Sequence, residues 1–137
     1  MTGLDIVKKF EGCKLKAYLC PAGIPTIGYG HTYGVKLERV ISKAEAEVLL
    51  DHDYQDAING VEELIKVPLT ENQLGALASF VFNLGRGKLL GSTLRKKLNQ
   101  GDYKGAAEEF DKWVFAKGVK LEGLVKRRAA ERQLFES

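Results

Sequence analysis

A chain of 137 residues with 45% hydrophobic and 28% charged side chains is long enough for one packed core and too short for two sizeable domains. Two cysteines exclude a disulfide framework, and two cysteines with two histidines at unhelpful spacings give no metal centre, so no metal or cofactor is expected. No apolar run approaches the roughly eighteen residues of a membrane span, and no charged-then-apolar leader precedes Leu4, so neither a membrane anchor nor a signal peptide is expected. The net charge of +3 hides an asymmetry, because residues 45–63 hold seven acidic side chains and no Lys or Arg, whereas residues 117–132 hold six basic against two acidic. A basic end of this kind suits a polyanionic partner such as bacterial cell wall. Nothing interleaves aromatic with basic residues, and no nucleic acid is expected as a partner.

In chain order, Leu4, Ile6, Val7 and Phe10 recur at helical spacing and Gly12 stops the helix, leaving Glu11 at its C-terminal end. That end carries partial negative charge, which, like burial beside Phe10, favours the protonated carboxyl that a general acid needs. Lys14 to Cys20 alternates polar and apolar, which predicts a strand with Leu15, Ala17 and Leu19 inward and Lys16, Tyr18 and Cys20 on the other face. Pro21-Ala22-Gly23 is turn chemistry and Ile24 to Ile27 a second strand, so Glu11, Cys20 and Thr26 converge where a helix end meets a hairpin. In Gly28-Tyr29-Gly30-His31-Thr32 the glycines let a backbone approach something closely, which fits a ligand groove.

Tyr33 to Val40 reads as a third short strand or a loop. Ser42 with Glu45 forms a capping box for one long helix through Ala46, Leu50, Tyr54, Ala57, Val61 and Ile65, and its acidic stripe is the solvent face. Pro68 ends it; Thr70 with Gln73 caps a second helix that buries Leu74, Leu77, Ala78 and Val81 and stops at Gly85. Gly85-Arg86-Gly87 and Leu90-Gly91-Ser92 read as turns. Ser92 caps a short helix ending at Gly101, and Asp102 caps the next, with Tyr103, Ala106, Ala107 and Phe110 on one face. Trp113 is expected in the core. Gly118 precedes a last helix in which Arg127 and Arg128 either reach Glu11 or pair with Glu131, four and three residues on.

Glu11, then eight residues, Cys20, then five residues, Thr26 and Ile27-Gly28-Tyr29-Gly30-His31 resemble the active-site signature of the phage-type lysozymes, the endolysins of tailed bacteriophages in glycoside hydrolase family 24. Gly123-Leu124-Val125-Lys126-Arg127-Arg128-Ala129-Ala130-Glu131 is similar to that family's carboxy-terminal signature. The resemblance implies an α+β, lysozyme-like fold: a small lobe with a short antiparallel hairpin or three-stranded sheet, and a larger helical lobe, joined by a long helix. In one domain over residues 1–137, the small lobe would cover about 12–42, the linking helix about 43–66 and the helical lobe about 67–137, with the first helix packed on it.

The resemblance makes Glu11, Cys20 and Thr26 the catalytic positions and Tyr29, Gly30, His31, Thr32, Phe82 and Asn83 the substrate contacts. It implies hydrolysis of the β-1,4 bond between N-acetylmuramic acid and N-acetylglucosamine in peptidoglycan. It also implies a monomer that accumulates in the host cytoplasm until the membrane is permeabilised and then attacks the wall.

Cys20 stands where most members of the family have Asp. A thiol of ordinary acidity is mostly neutral at pH 7, so Cys20 needs a cation such as Lys16 or His31 to act as thiolate, either as a base towards water held by Thr26 or as the nucleophile. Oxidation with Cys13 would consume that sulfur, but an ordered strand between the two holds them beyond bridging distance. A cysteine amidase using Cys20 and His31, and a wall-binding module without turnover, are the competing readings. Cys20 precedes a Pro turn rather than opening a helix that would activate it, which argues against the amidase.

Overall fold

Helix starts in this chain are fixed by reciprocal polar caps, and the computed structural model, which describes residues 1–137, shows three of them. Thr2 with Asp5 opens α1 (Gly3–Glu11), Ser42 with Glu45 opens α2 (Lys43–Leu64), and Thr70 with Gln73 opens α3 (Glu71–Leu84). In each, the hydroxyl accepts from the third helical N–H while that residue's side chain accepts from the cap N–H. Single caps start two shorter helices, Ser92 at α5 (Thr93–Asn99) and Asp102 at α6 (Tyr103–Glu109). A 3₁₀ turn, Phe110–Lys112, extends α6, and α7 (Glu122–Glu136) closes the chain.

Between α1 and α2 lies a hairpin of β1 (Lys14–Leu19) and β2 (Pro25–Gly28), antiparallel, pairing Tyr18 with Thr26 and Leu19 with Pro25. The register slips between Lys14 and Tyr18, and this changes the expected strand face. Ala17 is buried, but Leu15 is 40% and Leu19 53% exposed. The small sheet is covered only at its middle, where Ala17 and Ile27 meet Val7 of α1 and Ala46 and Leu50 of α2; the two leucines overhang it. Tyr33 to Val40 supplies a third lane of one bridge, Lys16 to Val40, flanked by Ala17 N–H donating to the Arg39 carbonyl and Ile41 N–H to that of Leu15.

Two features depart from the sequence reading. A short helix, α4 (Arg86–Leu90), stands where turns were expected, and it has no side-chain cap that a sequence could reveal. A second hairpin, β3 (Phe115–Ala116) with β4 (Val119–Lys120), turns through Lys117 at φ 50 and Gly118 at φ 78. Two successive left-handed residues are the geometry that suits a two-residue hairpin loop.

The fold is mixed helix and small antiparallel sheets, with two apolar clusters. One, of 18 buried residues, fills the helical part around Phe80, Leu94 and Phe110; the other, of 7, lies between the hairpin, α1 and the start of α2. Tyr54 and Phe82 pack against both and join them. Helix α3 runs through the larger cluster, with every residue from Gly75 to Val81 buried. Trp113 packs edge-on to Phe80 at 5.5 Å between centroids, as a core residue does.

Candidate active site

Glu11 is the last residue of α1, and Gly12, at φ 67, ends the helix with its N–H on the Lys8 carbonyl. The carboxyl group lies between two neighbours. On one side, Arg127 Nη1 of α7 donates to Glu11 Oε2 at 2.6 Å, with the Glu11 side chain 21% exposed. On the other is Gly30, where a Cβ would come within 2.8 Å of Glu11 Oε1. With no side chain at residue 30, the loop after β2 closes on the carboxyl where a Cβ would displace it.

Both alternatives expected for the paired arginines occur together. Arg127 reaches Glu11 and also lies 3.4 Å from Glu131, while Arg128 pairs with Glu131 and donates to Asn83 Oδ1. Arg132 is tied to Asp111 and Glu136. Three of the six basic side chains of residues 117–132 are thus engaged inside the protein or in ion pairs, and Lys117, Lys120 and Lys126 are left exposed.

The hairpin supplies Cys20 and Thr26. Cys20 follows β1 rather than ending it, because Gly23 N–H donates to its carbonyl at 2.8 Å and makes Cys20-Pro21-Ala22-Gly23 a β-turn with Pro second. The backbone of Ile24, then that of Ala22, favours the charged sulfur and holds the thiol below the usual cysteine range, against the opposing effect of burial. The Thr26 hydroxyl adds a weaker contribution, but it has one proton and places it on the Ile24 carbonyl at 2.9 Å, so the turn backbone is the main cause. Thr26 itself is 4% exposed. Both Cys13 and Cys20 are free thiols, at opposite ends of β1.

His31 is not the expected activator of Cys20. Its Nδ1 lies 2.7 Å from Asp53 Oδ2 and its Nε2 3.0 Å from the Tyr33 carbonyl, so both ring nitrogens face acceptors elsewhere. That removes the base from the cysteine amidase reading.

Beside Gly30 runs a groove with a cavity of about 210 Å3. Of the expected substrate contacts, Gly30, His31, Thr32 and Phe82 line it. Tyr29 does not: it is 6% exposed in the smaller cluster, where its hydroxyl accepts from Lys43 and donates to Glu47 at 3.0 Å. The aromatic ring between the glycines packs in the smaller apolar cluster. Asn83 is not among the lining residues; its Oδ1 accepts from Arg128.

Tyr33, Asp53, Asp56 and Arg86 also line the groove and were missed. Arg86 bridges Asp56 at 3.0 Å and Glu63 at 2.9 Å, crossing α2 over Gly60, where a Cβ would strike the arginine side chain at 2.8 Å. Asp56 and Glu63 of the acidic run of α2 carry these contacts while staying on its solvent face. A glycine in the middle of that helix was the one available signal.

The family described as Phage lysozyme matches residues 8–131. The endolysin of Acyrthosiphon pisum secondary endosymbiont phage 1 is 49% identical over 98% of this chain and 95% of its own. The endolysin of Bacillus phage B103 is 46% identical over 97% of this chain, which spans 52% of that longer protein. Among solved structures, the muramidase domain of SpmX from Asticaccaulis excentricus superposes with a TM-score of 0.91 at 34% identity, covering 98% of this chain and 95% of that one.

Proposed function

Given that the chain belongs to the phage lysozyme family and is a glycoside hydrolase of bacterial peptidoglycan, we propose that it cuts the β-1,4 bond between N-acetylmuramic acid and N-acetylglucosamine with Glu11 as the acid. The observation that supports this most is the Glu11 carboxyl at the end of α1, set against Gly30, which lines the groove. Glu11 gives its proton to the glycosidic oxygen as the carbon–oxygen bond breaks, and the sugar passes through an oxocarbenium-like state. The Cys20 thiolate takes the second part, as base towards a water held by Thr26 or as nucleophile on the sugar. Inverted product marks the first route and retained product the second.

Gly30, His31, Thr32 and Phe82 meet the saccharide in this reading, and Asn83, next to Phe82 on α3, offers it the amide nitrogen. The chain works as a monomer of one lysozyme domain, with a small lobe at about 12–42, a linking helix at about 43–66 and a helical lobe at about 67–137. No helix is long and apolar enough to cross a membrane. The enzyme acts on the cell wall, and we place its accumulation in the host cytoplasm before another factor permeabilises the membrane.

Purified peptidoglycan digested with the protein is expected to yield new reducing ends and no new free amines. Glu11→Gln should lower that rate by roughly 10²–10⁴-fold, the usual contribution of a general acid, with the far-UV spectrum unchanged. Retained activity in this variant would end the acid assignment.

A further inference from the structure

Three ionic side chains lie inside the protein, and the reaction as proposed touches none of them with substrate. Arg127 is 3% exposed, and Arg128 and Glu131 are fully buried. They share one stretch of α7 facing Ser79 and Asn83, which are one turn apart on α3. Charge buried this deeply is unfavourable unless paired, so the set calls for a reason.

Glu131 is the common partner. Its Oε2 accepts from the Ser79 hydroxyl at 2.6 Å and lies 3.4 Å from Arg127 Nε. Its Oε1 lies 3.0 Å from Arg128 Nε, a contact that is ionic rather than hydrogen-bonded, since neither atom has a hydrogen-bond partner in the protein. Two arms lead outwards from there. Arg127 donates to Glu11 Oε2 at 2.6 Å and to the Ser79 carbonyl at 3.2 Å, and Arg128 donates to Asn83 Oδ1.

We propose that Glu131 is a positioning residue for the reaction, setting the Glu11 carboxyl through Arg127 and the Asn83 amide through Arg128, so that one carboxylate holds the acid and a sugar contact in register. This rests on the reading of Glu11 as acid and Asn83 as a substrate contact. Stability alone does not account for the cluster, because apolar residues of similar volume commonly replace a buried ion pair without loss. The geometry of the arms does account for it. A guanidinium has donors only, so Arg128 fixes Oδ1 inward and leaves Nδ2 as the end of the Asn83 amide that can donate to a sugar. The planar fork of Arg127 likewise ties Glu11 and Ser79 to one rigid group.

The test measures kcat and KM on soluble, uncrosslinked peptidoglycan fragments for Glu131→Gln, Arg128→Lys and the double Arg128→Leu/Glu131→Leu variant, with cooperative thermal unfolding as the check of fold. Glu131→Gln should lower kcat about tenfold or more and raise KM severalfold, because both arms lose their anchor. Arg128→Lys should raise KM and leave kcat within about twofold, since it disturbs one arm only. The double variant should fold and keep both defects.

Parental kcat and KM in folded Glu131→Gln and in the double variant would overturn the proposal. Failure of both to fold would overturn it equally, by making Glu131 a residue of folding. Glu11→Gln in the same assay separates the two readings. If that variant is inactive while Glu131→Gln is parental, this inference alone falls; if it is active, the acid assignment beneath it falls.

Discussion

At Gly30 the backbone stands at φ 75, and a Cβ there would lie 2.8 Å from Glu11 Oε1. Gly30→Ala therefore meets two obstacles, a left-handed conformation that disfavours an L side chain by about 1–2 kcal/mol and a displaced carboxyl. Activity should fall about tenfold or more, as a displaced acid implies, while chemical denaturation shows a stability loss of no more than that order. A parental rate would mean that Glu11 has room to retreat and still act. At Cys20 the sign is set by the turn backbone, which favours the thiolate. If the thiolate is the working form, activity is present above the lowered thiol pKa and disappears as pH falls through it, in a limb below the usual value of about 8.5. Cys20→Asp should keep activity and lose that limb, and Cys20→Ala should be severely impaired. A fully active Cys20→Ala variant would make the sulfur structural. The closeness of Cys20 and Thr26 was legible because one short hairpin carries both. Arg127, 116 positions from Glu11, was legible only as one of two alternatives.

Helices were readable from sequence wherever a hydroxyl and a carboxyl or amide stood three residues apart, as at Ser42 and Glu45 or Thr70 and Gln73. The short elements were not, because α4 has no side-chain cap and β3 and β4 have two residues each. The strand face failed for a different reason, since alternation predicts a face only while the register holds, and β1 slips within its own length. Between elements, Glu109 shows how a charge can tie helices together. It is 3% exposed, with Lys112 Nζ at 2.6 Å and Lys97 Nζ of α5 at 3.2 Å. Lys112 first, then Lys97, holds its carboxyl below the usual glutamate range, against burial. A depressed folded pKa contributes stability above the unfolded value of about 4.3, which is lost as pH falls through the folded one. Glu109→Gln should therefore be less stable than the parent at pH 6 and converge with it at acid pH. Equal stability gaps at both pH values in urea unfolding would show that the ion pairs contribute nothing.

Across the whole molecule, the two apolar clusters must be held at one spacing for a groove to exist between them, and apolar packing supplies only Tyr54 and Phe82 at that junction. Polar contacts do the rest. His31, 7% exposed on the loop after β2, meets Asp53 of α2 at 2.7 Å and the Tyr33 carbonyl at 3.0 Å, while the next turn of α2 binds Arg86 at the start of α4. One helix thus fixes both walls of the groove by its acidic side. The acidic run is a solvent face, as its sequence suggests, with five of its seven carboxylates exposed; what the sequence alone does not show is that Asp53, Asp56 and Glu63 reach partners distant in the chain. Asp53→Asn keeps the shape of that contact and removes its charge. The loss of a charge-assisted hydrogen bond to a buried ring should lower stability by about 1–3 kcal/mol, read from denaturant midpoints at unchanged slope. Because Gly30 stands beside His31 and against Glu11, the loosened loop should also lower the rate of reducing-end release in the fraction that remains folded. A stability loss with a parental rate per folded molecule would confine His31 and Asp53 to the fold and leave the groove walls to be set by Arg86 alone.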